Sequence, residues 1–137
     1  MIVLDTHALI WLMDGDDQLG RLARDRIEDA RNAEGVFVAA ITPWEISMLV
    51  DKQRIHLAMA VDEWMDFVFK AEGIWIAPLE PAIGVDAGRL SGGIHGDPAD
   101  RIVIATARAM GCPLLSSDRK ILNYGKQGYV SVIDANK

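Results

Sequence analysis

Short apolar runs, each closed by an acidic residue, a glycine or a polar turn, alternate along this chain with segments of helical spacing. That alternation is the strongest constraint on its fold. Ile2-Val3-Leu4 runs into Asp5, as a buried parallel strand should, and Thr6 to Met13 reads as a helix stopped by Asp14-Gly15-Asp16-Asp17. Arg21 to Ala33 is helical and polar, with Leu22, Ala23, Ile27 and Ala30 at helical spacing. Val36 to Ala40 is a second strand, and Thr42-Pro43-Trp44-Glu45 opens a helix in a capping-box pattern, with Thr42 at N-cap and Glu45 at N3. A further helix is expected from about Val61 to Glu72, a third strand from Ile74 to Leu79, and a helix from Pro81 to Leu90. Ser91 to Gly96 is a glycine-rich loop. Asp97-Pro98 starts a strong helix that runs to Met110, Pro113 to Ser116 is a fourth strand, a short helix follows Asp118, and Tyr129 to Ile133 is a fifth strand. Strands separated by helices imply right-handed crossovers. The expected fold class is α/β: an α/β/α sandwich around a five-stranded, mostly parallel sheet.

Length and charge narrow the function. The 137 residues suit one domain spanning 1–137. With 20 acidic against 14 basic side chains the net charge is −6, which argues against holding nucleic acid by bulk electrostatics. It leaves open a nucleic-acid enzyme whose metal bridges acidic side chains and phosphate. The single cysteine, Cys112, excludes an intrachain disulfide and a multi-cysteine zinc site. No apolar run approaches the roughly 18 residues of a membrane span, and the N-terminus lacks the basic region of a signal peptide. A cytoplasmic domain without membrane association is expected.

The acidic residues carry the chemistry. Asp5 closes the first strand and Asp118 follows the fourth by two residues. Ligands of open α/β sheets bind beyond the carboxyl ends of the strands, so both should face one crevice if their strands are neighbours. Glu45 lies three and four residues before Met48 and Leu49, on the inward stripe of its helix. Asp100 precedes Val103, Ile104 and Ala107 in the same way, with Asp97 at the N-cap. Each acid has a local explanation as a helix cap or a capping-box partner. Convergence of all of them on one sheet edge is better explained by a shared cause. Clustered carboxylates repel unless a cation neutralises them, and oxygen ligands without cysteine or clustered histidine suit Mg²⁺ or Mn²⁺ rather than zinc. Metal-assisted phosphodiester hydrolysis follows as the reaction class.

Other sites are absent or weaker. There is no phosphate-binding Gly-Lys-Ser/Thr loop and no Gly-x-Ser-x-Gly elbow. Asp14–Asp17 fails as a calcium loop, because Leu19 stands where glycine is needed. His7 and His95 are far apart in sequence and read as structural or surface groups. Trp11, Trp44 and Trp64 read as core or interface anchors, and Cys112 as buried and inert.

The motifs Ile2-Val3-Leu4-Asp5-Thr6-His7-Ala8-Leu9-Ile10-Trp11, Pro43-Trp44-Glu45-Ile46, Asp97-Pro98-Ala99-Asp100-Arg101, Ile104-Ala105-Thr106-Ala107 and Leu115-Ser116-Ser117-Asp118 occur in one order across essentially the whole chain. This ordered set resembles the PIN-domain family, and within it the VapC-like toxin ribonucleases of type II toxin–antitoxin pairs. The resemblance implies a Mg²⁺- or Mn²⁺-dependent endoribonuclease with Asp5, Glu45, Asp100 and Asp118 as catalytic acids. It implies Asp5, Asp100, Asp118 and Asp97 as metal-site acids, with the direct contact open between Asp97 and Asp100. It implies Thr6 and Ser117 as groups that orient water or phosphate. Arg119, with Lys120, is a candidate phosphate contact. RNA as substrate, a cognate antitoxin and a homodimer are the implied partners. Two other readings stand beside it: a catalytically idle PIN-like interaction domain, and a phosphatase or phosphorelay receiver using Asp5 as nucleophile. A haloacid-type phosphatase would need a second Asp at position 7, which is His7.

Overall fold

The computed structural model describes residues 1–94 and 96–137; the expectation for His95 lies outside the described residues. In chain order the elements are β1 (Ile2–Leu4), α1 (Thr6–Asp14), α2 (Arg21–Arg31), β2 (Val36–Ala39), α3 (Thr42–Asp51) and α4 (Val61–Lys70). They continue with β3 (Ile74–Ala77), α5 (Pro81–Gly88), α6 (Pro98–Met110), β4 (Leu114–Ser116), α7 (Arg119–Lys126) and β5 (Val132–Asp134). The strands form one sheet in the order β3-β2-β1-β4-β5, and every pairing is parallel. The expected five-stranded α/β/α sandwich is what the chain forms.

Strand periodicity divides the core into two layers. Ile2, Leu4, Val36, Val38 and Leu115 point to one face, against Leu9 of α1, Ile27 of α2 and Trp64 and Val68 of α4. Val3 and Leu114 point to the other, against Val103, Ile104 and Ala107 of α6 and Ile121 and Tyr124 of α7. Both faces of β1 are therefore covered, which is why its sequence is continuously apolar rather than alternating.

The strand order reverses at β1, with β2 on one side and β4 on the other. This switch point opens a crevice beyond the carboxyl ends of β1 and β4, where the chain places Asp5 and Asp118.

Some boundaries differ from the sequence expectations. β5 begins at Val132 rather than Tyr129, because Tyr129 stacks on Tyr124 at 4.7 Å and Val130 turns into the second core layer. β3 stops at Ala77, before Pro78, which cannot donate to a ladder. On this edge strand Trp75 and Ile76 are exposed. Trp64 is buried as expected, whereas Trp44 is 56% exposed and anchors nothing in the core. Cys112 is buried.

Helix α7 carries Asp118 at its N-cap and must lie close on β5, and Gly125 is what allows this. A Cβ at that position would collide with both methyl groups of Val132. Gly125→Ala should destabilise the protein by about 1–3 kcal/mol through overpacking, even though alanine favours a helix by about 1 kcal/mol. Urea unfolding of the two proteins checks this; a more stable alanine variant would show that the helix stands further off than described.

Candidate functional site

Asp5 is the innermost acid of the crevice. It follows the last residue of β1, is 8% exposed, and caps α1 by accepting a hydrogen bond from the Thr6 backbone N–H at Oδ1, 2.8 Å. Its Oδ2 accepts from the Ser116 hydroxyl at 2.6 Å, and the Ser116 oxygen in turn accepts from the Asp118 N–H at 3.1 Å. β1 and β4 are thus joined by side chains at the point where their backbone ladder ends.

Glu45 enters from α3. The capping box expected at this helix does not form: the N-cap position is Ile41, Thr42 is already helical and buried, and no side chain caps the end. Pro43 suits the first turn, and the Glu45 carboxylate is taken up elsewhere. Glu45 Oε1 accepts from the Thr6 hydroxyl at 2.5 Å, and Thr42 Oγ1 lies 3.4 Å from Thr6 Oγ1. A contact between distant elements has replaced the local one.

Asp97 and Asp118 are the N-caps of α6 and α7. Asp97 Oδ1 accepts from the Ala99 and Asp100 N–H groups at 3.0 and 3.3 Å, and Asp118 Oδ1 from the Lys120 and Ile121 N–H groups at 2.8 and 3.3 Å. Asp100 stands in the first turn of α6, where the helix dipole favours negative charge.

Asp5, Glu45, Asp97, Asp100 and Asp118 all line one open cavity of about 430 Å³, together with Ser117. Thr6 lies beneath it, buried between Asp5 and Glu45. Arg119 is exposed and does not line it. The cavity also takes in residues to which the sequence assigned no site role: His7 and Trp11 from α1, read as a structural or surface group and a core or interface anchor, Met48 and Leu49 from α3, and Arg54 from the turn after α3. Ser116 was passed over in favour of Ser117. The signal for it was strand alternation, since position 116 belongs to β4 and position 117 does not.

Burial and mutual repulsion show in the protonation of the cluster. Burial, followed by the negative charges of Asp5, Asp97, Asp118 and Glu45, pushes the Asp100 carboxyl up to about 8. Burial raises Asp5, against the opposing effect of the Ser116 and Thr6 hydrogen bonds. Glu45 is raised by burial, against its bond from Thr6, and raised further by Asp5 and Asp97. Asp100 is therefore held ionised at neutral pH only beside a cation. The donors are all carboxylate oxygens, which fits Mg²⁺ or Mn²⁺. Among the described residues no three acidic, histidine or cysteine side chains stand close enough together to hold a metal ion as they are. The acids surround the cavity instead, an arrangement compatible with an ion that keeps several of its waters. The same geometry weakens the nucleophile reading of Asp5, since burial and a hydrogen bond on each oxygen oppose attack on phosphorus.

A family model described as PIN domain matches residues 2–127. Ribonuclease VapC22 of Mycobacterium tuberculosis is 32% identical over 123 residues, which is 90% of this chain and 91% of that protein. Among solved structures, the chain resembles VapBC2 from Rickettsia felis bound to a promoter DNA fragment, with a TM-score of 0.69 and 12% identity over 97% of this chain and 98% of that one. It resembles a toxin–antitoxin complex from Klebsiella pneumoniae with a TM-score of 0.66 and 18% identity over 98% of each chain. At these identities the two structures bear on the fold.

The raised Asp100 pKa has a consequence for stability. The folded state binds a proton there that the unfolded state releases between about pH 4 and about pH 8. The stability this proton contributes is full below the unfolded pKa and is lost as pH rises through the folded one. In chelator, the melting temperature should therefore fall as pH rises across this window, and Asp100→Asn should flatten the fall. Thermal melts at fixed ionic strength check this; equal slopes in the two proteins would show that Asp100 titrates normally.

Proposed function

The chain belongs to the PIN domain family, and on that premise we propose that it is a ribonuclease of the VapC kind, hydrolysing RNA phosphodiester bonds with Mg²⁺ or Mn²⁺ as the toxin of a toxin–antitoxin pair. The observation that carries this reading is the convergence of five carboxylates on one cavity, with Asp100 driven to about 8 by burial and by the other four. The whole chain acts as one such domain.

Asp5, Asp100 and Asp118 would hold the ion, with Asp97 as the additional acid beside them. When bound, the ion neutralises charge on the phosphoryl group and lowers the pKa of the attacking water. Glu45 is the acid best suited to take a proton from that water: Thr6 fixes one of its oxygens and burial raises its basicity. Ser116 orients Asp5 and the Asp118 backbone rather than touching substrate. Thr6 orients Glu45 from below the cavity. Ser117, on the cavity wall, is placed to orient phosphate or water, and Arg119, exposed at the start of α7, to meet a neighbouring phosphate.

An antitoxin partner is supported by the toxin–antitoxin complexes that the fold resembles. The acidic cavity supports it physically, since a basic side chain entering it would compete with the metal. A homodimer is supported by the large apolar groups left on the surface, among them Trp44, Phe67 and Trp75. Among the described residues no helix is long and apolar enough to cross a membrane. Action in the cytoplasm, where RNA and antitoxin would be met, completes the reading.

The purified chain should cut single-stranded RNA in Mg²⁺ or Mn²⁺ and stop when the metal is chelated. The metal's contribution of several kcal/mol corresponds to a loss of about a hundredfold or more in Asp5→Asn or Asp100→Asn. Ser116→Ala, which removes only the support of Asp5, should lose about 10- to 100-fold. Turnover by gel assay on refolding-checked proteins decides: unchanged rates in both Asn variants would remove the mechanism.

A further inference from the structure

The cavity has a second wall of different chemistry. His7 and Trp11 stand one turn apart on α1, their rings 6.2 Å apart and tilted by 55°. Trp11 is half-buried, packed against the first core layer on one side and lining the cavity on the other. Met48 and Leu49 of α3 continue the wall, and Arg54 closes it at the rim.

Arg54 reaches that rim through an unusual turn. Helix α3 ends at Asp51, and Gln53 adopts φ 59°, the one non-glycine residue with a left-handed backbone among those described. Its N–H donates to the Val50 carbonyl at 3.0 Å, and the Arg54 N–H reaches back to the Leu49 carbonyl at 2.9 Å. Glycine is the residue that usually takes this helix-ending position, and a residue strained there marks a place whose geometry matters. The turn folds the chain back so that Arg54 joins Leu49 at the cavity. Among the described residues the Arg54 guanidinium has no ion-pair or hydrogen-bond partner. A cation without an ion-pair partner and an aromatic ring that line one cavity with five acids offer the complement of a phosphate and its base.

We propose that Arg54 and Trp11 form a subsite for one nucleotide of single-stranded RNA flanking the scissile bond, with Arg54 on its phosphate and Trp11 stacked on its base. This deepens the ribonuclease reading and rests on it for the position of the scissile bond. A chain of net charge −6 repels RNA at long range, so a single cation held at the rim has a large share in setting the register of the strand. Because any base can stack on Trp11, the subsite tolerates all four and favours purines through their larger face.

Binding of a fluorescently labelled single-stranded RNA to the full chain, with Ca²⁺ replacing Mg²⁺ to slow cleavage, tests the subsite by anisotropy across a salt series. Arg54→Ala should weaken binding about tenfold and reduce the slope of log Kd against log salt by about 0.7, the loss of one phosphate contact on a single strand. Arg54→Lys should restore the slope. Trp11→Leu should weaken binding about tenfold, whereas Trp11→Phe stays within about threefold of the parent. In Mg²⁺ the Arg54→Ala change should appear in KM more than in kcat. An unchanged slope in a folded Arg54→Ala protein, or equal binding by the two Trp11 variants, overturns the subsite, as does failure of the parent chain to bind RNA. A parent that binds with the expected variant pattern but never cuts overturns the ribonuclease reading and upholds the subsite.

Discussion

Asp5 sits at the end of the central strand with a hydrogen bond on each carboxylate oxygen, one from the backbone of α1 and one from Ser116 of β4. The rest of the site is built outward from this buried acid. Ser116 passes the connection on to the backbone of Asp118, and Thr6, the next residue along, passes it to Glu45 of α3. Three segments distant in sequence, at residues 5–6, 45 and 116–118, are fixed to one another by polar contacts at low dielectric, where such contacts are strong if satisfied and costly if broken. The parallel strand order makes this possible, because it brings the carboxyl ends of β1 and β4 side by side.

Gathering five acids in this crevice opposes folding, and the fold offsets the repulsion locally. Asp97 and Asp118 each accept two backbone N–H groups at the start of a helix, and Asp100 shares the positive end of α6. Capping and cation binding are therefore not rival explanations of these residues. A cap uses one oxygen of the carboxylate and leaves lone pairs that a divalent ion can use. The compensation is incomplete, as the elevated Asp100 shows, and the remaining imbalance is what a bound cation would relieve.

The strands, their order of helices and the acids of the crevice were legible because they depend on local patterning. Ile2-Val3-Leu4 could only be a buried strand, and a carboxylate directly after such a strand has to face the crevice. Glu45 lines the cavity as its place on the inward stripe suggests, but its partner is not legible: Thr42 and Glu45 have capping-box spacing, yet the helix starts at Thr42 and the glutamate turns to Thr6. The contact spans 39 positions, and no local rule sees it. The same limit applies to Trp44, whose apolar neighbours suggested a core or interface anchor: whether a helix residue is covered depends on what packs over that face, and in α3 Trp44 is left 56% exposed. Arg54 was hidden for another reason, since only the left-handed backbone of Gln53 turns it toward the cavity.

Net charge alone would make this chain a poor ligand for a polyanion, and placement resolves the difficulty. Screening confines the influence of exposed charges to roughly 8 Å at physiological salt, so acidic groups on distant helices barely affect a phosphate at the crevice. What such a phosphate would meet is local: an acidic floor on which a bound divalent ion would be the positive centre, a hydroxyl from Ser117, and Arg54. Without the ion the floor repels the strand. RNA and metal would therefore bind with positive coupling, each strengthening the other. On the proposed function the carboxylates would do more than hold an ion for chemistry: they would couple nucleic-acid binding to the metal, while the aromatic wall would contribute a metal-independent share.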